Sequence, residues 1–442
     1  MNLHTLARAR AMAGNPIGVA LIGAGKFGSM FLAQAPTMPG LAVRAITDLF
    51  PDRVPGNLRG LGWPDTLVDA VRVSDDATSA IAGDDIDVVV EATGDPIAAV
   101  SHALAAIAAG KHVVMVTVEA DALVGSALAA RAAAANTIYS LAYGDQPALI
   151  AELVDWGRAC GFRVVAAGKG TRYLPEYHTS TPDTVWHYYG LTAEQARAAG
   201  MNSQMFNSFL DGTKSAIEMA AVANSCDLDG APDGLEFPPC GTEELATVLA
   251  SRAGEQGFVE VVSSLHRDGS PVNRDLRWGV YVVVEAPSDY SAACFAQYGM
   301  VTDPTGRFAA LYRPFHLIGM ELGISIYSAV LRREATGSPR AFRGDVAAIA
   351  KRDLQAGEVL DGEGGYTVWG KLVPARQSMA AGYLPIGFAK NVQLRNDIPA
   401  GQVLRLDDVV LAQTGAAYQL RQEVAALVAG GTESPIEQDL SR

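Results

Sequence analysis

Over the first 150 positions, short apolar, β-branched runs alternate with Ala-rich stretches. The runs are Ile17 to Ile22, Leu41 to Ile46, Ile86 to Glu91, His112 to Val118 and Thr137 to Leu141. Between them the pattern predicts helices from Phe27 to about Ala35, from Pro96 to the break at Gly110, and from Ala122 to Ala135. A short helix is expected within residues 1–16, and the Pro- and Gly-rich segment Pro51 to Pro64 reads as loop. Strands alternating with helices in this way predict a doubly wound parallel sheet.

The first run enters Gly23-Ala24-Gly25-Lys26-Phe27-Gly28, a Gly-x-Gly-x-x-Gly turn that leaves as a helix. Gly23 permits the tight turn, Gly25 lets backbone approach a pyrophosphate, and Gly28 lets helix pack on strand. Free N–H groups at the helix start would face the phosphates. The second run ends at Asp48, 20 residues past Gly28, where an acidic side chain takes the ribose hydroxyls. Ligands of such sheets bind beyond the carboxyl ends of the strands. That rule adds Ala92-Thr93-Gly94, Thr117 and Glu119 to the cofactor-facing set. For the two threonines, ordinary turn chemistry is the alternative.

Beyond Tyr139 the pattern changes. A helix is expected from Ala148 to Cys160, then a strand from Phe162 to Ala167 meeting Gly168-Lys169-Gly170. A Lys between glycines at a strand end would have its backbone held close to a neighbour and its ammonium aimed outward; a solvated loop Lys is the alternative. Tyr173 to Tyr189, dense in aromatics and Pro, reads as a pocket wall or lid. Asp211, Lys214 and Glu218 fall at i, i+3 and i+7, on one helical face. That is either an exposed ion-pair stripe or a working cluster. If Asp211 caps the helix, the dipole lowers the pKa of Lys214, which suits proton transfer. Short β-rich runs (Phe258 to Ser263, Trp278 to Glu285) make this part α+β. His316 introduces an apolar segment, Ile318 to Leu331, read as a helix returning to the first domain. Arg352 to Leu360 recurs as Asn396 to Leu404, 44 positions on, so the end of the chain is a small β-rich module with a polar tail from Thr432.

The 442 residues allow several domains, and 49% hydrophobic with 19% charged residues describes an ordinary globular chain. No run approaches the roughly 20 apolar residues a membrane span needs, and residues 1–14 do not read as a secretory signal. Four scattered cysteines (160, 226, 240, 294) exclude zinc-type spacing and fit a reducing cytoplasm. A net charge of −14 argues against nucleic-acid or anionic-membrane partners. An anionic substrate would need local Lys, Arg or helix-N-terminal help against that background.

The N-terminal half resembles the homoserine-dehydrogenase-like superfamily. The closer resemblance is to deoxyxylulose-phosphate reductoisomerase-like enzymes with a C-terminal SAF domain. It is carried by residues 21–28, 110–115, 118–121, 139–141, 167–170, 209–214, 218–221 and 313–317, and by the repeat. Homoserine dehydrogenases carry Asn-Lys where this chain has Val118-Glu119, which points away from plain homoserine oxidation. Asp48 favours NAD over NADP. The segment Thr171 to Tyr189 and the Ser203-Gln204 pair depart from what a sugar-phosphate enzyme would carry.

Together these features predict a Rossmann domain (1–160), an α+β catalytic domain (161–342) and a SAF-like β-rich domain (343–442). The expected activity is NAD(P)-dependent hydride transfer to or from a small polar carbonyl or hydroxy compound. Lys169, Asp211, Lys214, Glu218 and His316 would converge on the nicotinamide, with Lys214 or Lys169 as proton donor. In a reductoisomerisation a divalent metal could bind through Asp145, Glu152 or Glu218. The alternatives are an amino-acid semialdehyde oxidoreductase of the homoserine dehydrogenase type and a non-catalytic dinucleotide sensor. A homo-oligomer is expected on base rates.

Overall fold

A computed structural model describes residues 2–252, 254 and 256–430; the polar tail from Thr432 lies outside them. The five apolar runs and an edge strand the pattern did not predict, β3 (Arg72–Ser74), form a six-stranded parallel sheet of β1 (Ile17–Ile22), β2 (Leu41–Thr47), β3, β4 (Val88–Glu91), β5 (His112–Met115) and β6 (Tyr139–Leu141). Its order is β3-β2-β1-β4-β5-β6, so the strand order reverses beside β1. Buried apolar residues cover both faces of the central strands, as helix-covered parallel sheets require. Two local readings change. Much of Pro51 to Pro64 is helical (Pro51–Arg53, then Val54–Gly60), because Pro51 and Pro55 stand in the first turns, where a missing N–H costs nothing. The third helix begins earlier, at Val118, and is kinked at Val124.

The helix Gln146–Ala159 packs on the second sheet, not the first. That sheet, ordered β10-β11-β9-β7-β8, consists of β7 (Arg163–Thr171), β8 (Phe258–Ser263), β9 (Val280–Glu285), β10 (Val301–Thr302) and β11 (Phe308–Arg313). Glycines 168 and 170 sit inside β7, not at its end. A Cβ on Gly168 would lie 1.8 Å from the Glu260 oxygen, and one on Gly170 2.0 Å from the Leu276 oxygen. The glycines therefore serve close backbone approach. The expected 318–331 helix starts only at Gly323 and ends in a π turn (Ser328–Arg332). It packs against the N-terminal helix Leu3–Met12, and Tyr327 bonds the Pro39 oxygen at 2.8 Å.

The C-terminal module has β12 (Gly344–Ala350) paired with β14 (Val368–Pro374), and β13 (Val359–Asp361), β15 (Lys390–Leu394) and β16 (Val409–Val410) in a second small sheet. The 44-residue repeat is a local pseudo-twofold. Leu354 and Ile398 exchange backbone bonds at 2.8 and 2.9 Å. Asp397 accepts from the Ala356 N–H, and Asp353 from the equivalent Ala400 N–H, both at 2.8 Å. The helix Ala416–Gly430 then folds back onto the 118–134 helix. Among the described residues no helix is long and apolar enough to cross a membrane.

Candidate functional site

The glycine turn has the geometry its spacing predicts. Gly23 has φ +95°, and a Cβ there would meet the Ala92 oxygen at 2.5 Å. A Cβ on Gly28 would meet the Gly23 oxygen at 2.5 Å, whereas nothing lies within 4 Å of one on Gly25. Open space over Gly25, at the start of the helix Lys26–Gln34, fits a dinucleotide pyrophosphate. Asp48 braces the turn, accepting from the Ala24 and Phe50 N–H groups at 2.9 Å each. Phe27 is half-buried against the apolar core, while Lys26 is exposed.

At the ends of β4 and β5 the organising group is Glu91, which sequence reasoning left inside a strand. Fully buried, it accepts from Thr93 Oγ1 (2.7 Å) and Thr117 Oγ1 (2.5 Å), with His102 Nδ1 at 3.2 Å. Thr117 Oγ1 also accepts from the Gly94 N–H at 3.0 Å. Both threonines therefore lock the Ala92-Thr93-Gly94 turn against the 118–134 helix start, which is turn chemistry. One turn on, buried Asp121 accepts from the Tyr139 hydroxyl at 2.9 Å, and burial pushes its carboxyl up to about 7.

The second domain meets this edge through the helix Thr213–Cys226, whose side chains are almost all buried. Asp211, Lys214 and Glu218 do not form a stripe with one another. Each pairs with a group from a different element. Lys214 bonds Glu119, at the start of the 118–134 helix; Glu218 bonds Lys169 on β7; and Asp211, fully buried, pairs with Lys351 at 2.7 Å, from the residue just after β12. Lys169, 5% exposed, also donates to Gln146 Oε1 at 2.9 Å, so its ammonium points into the protein and not outward. Gly212, not Asp211, caps the helix, although Asp211 Oδ1 accepts from the Thr213 N–H at 2.9 Å.

The expected lowering of the Lys214 pKa is reversed. Burial works against its charge, but Glu119, Glu363, Glu218 and Asp145 overcome burial and hold the ammonium above its ordinary range. The helix dipole falls off within a turn and loses to four carboxylates. Two of these are themselves perturbed. Burial and the neighbouring Glu218 push Asp145, the N-cap of the 146–159 helix, up to about 6, against the pull of Lys214 and His316. Burial and Glu119 push Glu363 up to about 7, although Ser208 Oγ donates to it at 2.6 Å. His316 donates from Nδ1 to the Trp278 oxygen at 2.8 Å, an assignment that leaves Nε2 for another partner.

Glu363 had no local signal, because it lies in the C-terminal module. Its loop is tied to the helix Ser203–Leu210: Gln204 Nε2 donates to the Asp361 and Glu363 oxygens (3.0 and 2.9 Å), and Asn207 Nδ2 to the Gly364 oxygen (2.8 Å). Tyr173 to Tyr189 forms a packed wall with two short helical turns. Its Tyr173 stacks on Phe237 and its His178 on Trp369, at 3.9 and 3.8 Å. Burial lowers the His178 pKa to about 4.

The metal expectation fails on this arrangement. Glu152 is bonded by the Tyr143 hydroxyl at 2.5 Å, and Glu218 already holds the Lys169 ammonium. Among the described residues no three His, Cys, Asp or Glu side chains could hold an ion.

Two family models match the chain. One, described as the homoserine dehydrogenase NAD-binding domain, matches residues 30–141. The other, described as the oxidoreductase DRL catalytic domain, matches residues 144–322. Their junction falls where the first sheet ends and the 146–159 helix begins. No curated protein sequence matches the chain. Among solved structures it is similar to a homoserine dehydrogenase from Thiobacillus denitrificans, at 14% identity over 78% of this chain and 83% of that one, with a TM-score of 0.44. It is also similar to scyllo-inositol dehydrogenase from Lactobacillus casei with bound NAD(H) and scyllo-inositol, at 13% over 67% and 76%, TM-score 0.35. A third is dihydrodipicolinate reductase from Paenisporosarcina sp. TG-14, at 12% over 72% and 97%, TM-score 0.34.

Proposed function

We propose that this chain, an NAD(P)-dependent oxidoreductase, interconverts a small polar carbonyl compound and its alcohol, with NAD preferred. The observation that carries the reading is the meeting of two Lys–carboxylate pairs, Lys214–Glu119 and Lys169–Glu218, beside the cofactor-facing strand ends. NAD(P) supplies or accepts the hydride when bound. Lys214, kept charged by the carboxylates around it, donates a hydrogen bond to the substrate oxygen and stabilises it as an alkoxide. Asp145, pushed up to about 6, is the group suited to hold or release the substrate proton near neutrality. Lys169 and Glu218 fix the opposite wall. Asp211, sealed by Lys351, is a positioning residue in this reading.

The NAD preference rests on Asp48, whose carboxylate would repel a 2′-phosphate. The resemblance to reductoisomerase-like enzymes with a SAF domain remains a finer form of the same proposal, and Glu119 in place of a Lys keeps homoserine oxidation second to it. Four free cysteines fit a cytoplasmic setting.

Titration with NADH and NADPH, followed by nicotinamide fluorescence, tests the cofactor part. NADH should bind more tightly, and Asp48→Ala should shift the preference toward NADPH. Lys214→Met should keep NADH affinity while lowering turnover by about a hundredfold or more. Equal turnover in that variant ends its assignment. Cofactor binding without turnover on a panel of hydroxy acids, keto sugars and their phosphates would favour a dinucleotide sensor.

A further inference from the structure

Arg172 and Arg277 stand out in a chain whose acidic residues outnumber its basic ones by 48 to 34. Arg172 directly follows β7, and its Nε is buried with no hydrogen-bond partner. Among the described residues neither guanidinium forms an ion pair or a hydrogen bond. Most other arginines near the second sheet do, Arg163, Arg252, Arg307 and Arg313 among them. A buried donor left without an acceptor costs free energy, so such an atom calls for a partner from outside the chain.

The two arginines are neighbours through backbone. Gly170 donates to the Gly279 oxygen at 3.1 Å, and a Cβ on Gly170 would lie 2.9 Å from the Arg277 nitrogen. Both charges act on the Tyr189 phenol, which burial carries to about 12 against their pull. Arg277 lies over the Trp278 ring at 4.7 Å, a stack that leaves its N–H edge free. The Trp278 oxygen holds His316, and the charge of His316 reaches Asp145. The pair thus borders the site at the end of the strand that carries Lys169.

We propose that Arg172 and Arg277 seat an oxyanion of the substrate, a phosphate or a carboxylate, and so orient its carbonyl toward Lys214 and Asp145. This inference rests on the active-site reading above for the identity of the ligand as substrate, but not for the existence of the anion seat. Two planar forks with no carboxylate of their own match three- or two-oxygen anions, and, unlike Lys169 and Lys214, they are not paired with an acid of the described residues.

The test is a titration of the full chain, with NADH present, using sodium phosphate and separately sodium acetate at constant ionic strength. Intrinsic tryptophan fluorescence, to which Trp278 beside Arg277 contributes, and the thermal midpoint report binding. At least one anion should act where chloride does not. Arg172→Met and Arg277→Met should each weaken it about tenfold or more with NADH affinity unchanged. A response to phosphate alone assigns a phosphorylated substrate, and one to acetate alone a hydroxy or keto acid. If a Met variant fails to fold, Arg172→Lys and Arg277→Lys keep the charge, lose the fork, and should still weaken the anion several-fold. No anion effect beyond chloride, or variants that respond as the wild type does, overturns the proposal. If Lys214→Met keeps full turnover while the anion effect persists, the active-site reading fails and the seat stands.

Discussion

Replacing Lys351 with Met removes the cation that neutralises Asp211 while keeping most of the apolar stem. In the wild type the ammonium sits 2.7 Å from the Asp211 carboxylate and donates to the Ser180 and Gly365 oxygens at 2.8 and 2.7 Å. Asp211 is fully buried and Lys351 nearly so, so solvent cannot take over. Removing one partner of a buried pair costs about 3–5 kcal/mol. The penalty has a sign in pH. Burial already raises the Asp211 pKa against the pull of Lys351, and without that pull the folded-state value rises further. The folded variant then keeps a proton that the unfolded chain releases above about 3.9, so stability falls as pH rises until the new value is passed. Urea unfolding should therefore show a small penalty near pH 4.5 and a large one at pH 8. Adding Asp211→Asn should recover more than half of the loss at pH 8. A loss below about 1 kcal/mol, or one equal at both pH values, would refute the argument.

Three other outcomes follow from single groups. Asp121, at about 7, is an acid with a raised folded pKa, so the wild type loses stability between about pH 4 and pH 7 by on the order of 4 kcal/mol. Asp121→Asn should flatten that slope in urea midpoints, and parallel wild-type and variant curves would exclude the group. Gly364 has φ +66°, and a Cβ there would lie 2.1 Å from the Gln204 oxygen. Gly364→Ala should cost about 2 kcal/mol or more and displace Glu363, read as lost turnover alongside a lower urea midpoint. In the alcohol-oxidising direction kcat should rise through about pH 6 as Asp145 loses its proton, and Asp145→Asn should abolish that limb of the profile.

The first sheet and its glycine turn were legible because their cause is local. Apolar runs of strand length, a positive-φ Gly23 and a crowded Gly28 write themselves into a few dozen residues. Pro51 to Pro64 misled because Pro marks helix starts as readily as loops. The charged residues misled for a different reason. Spacing i, i+3, i+7 describes partners on a solvated helix face, whereas the 213–226 helix has scarcely any solvated face. Its charges find partners wherever the chain folds over them, and Glu119 and Glu363 lie 95 and 149 positions from Lys214 along the sequence. The same distance hid Glu363 as a site group and turned the expected pKa shift of Lys214 around. Glu91 was hidden by its setting, an acid at the end of an apolar run whose partners come from its own turn, the next helix and the end of the neighbouring strand.

The three acid–base partnerships at or beside the start of that helix each cross a structural boundary. Lys214 reaches the 118–134 helix beside the first sheet through Glu119, Glu218 reaches the second sheet through Lys169, and Asp211 reaches the C-terminal module through Lys351. All six side chains are buried or nearly so, so no unit can shift without stranding a charge in a low-dielectric interior. The C-terminal module is therefore coupled to the Lys214 cluster by charge as well as by contact. Its Lys351 fixes the loop that precedes the helix, and its Glu363 helps keep Lys214 charged. A chain cut before β12 would expose the apolar residues that the 213–226 helix packs against β12 and β14 and leave Asp211 unpaired. The first two domains then contain every strand of the dinucleotide site yet lose Glu363, one of the four carboxylates that hold the Lys214 ammonium charged, and the cation that faces Asp211.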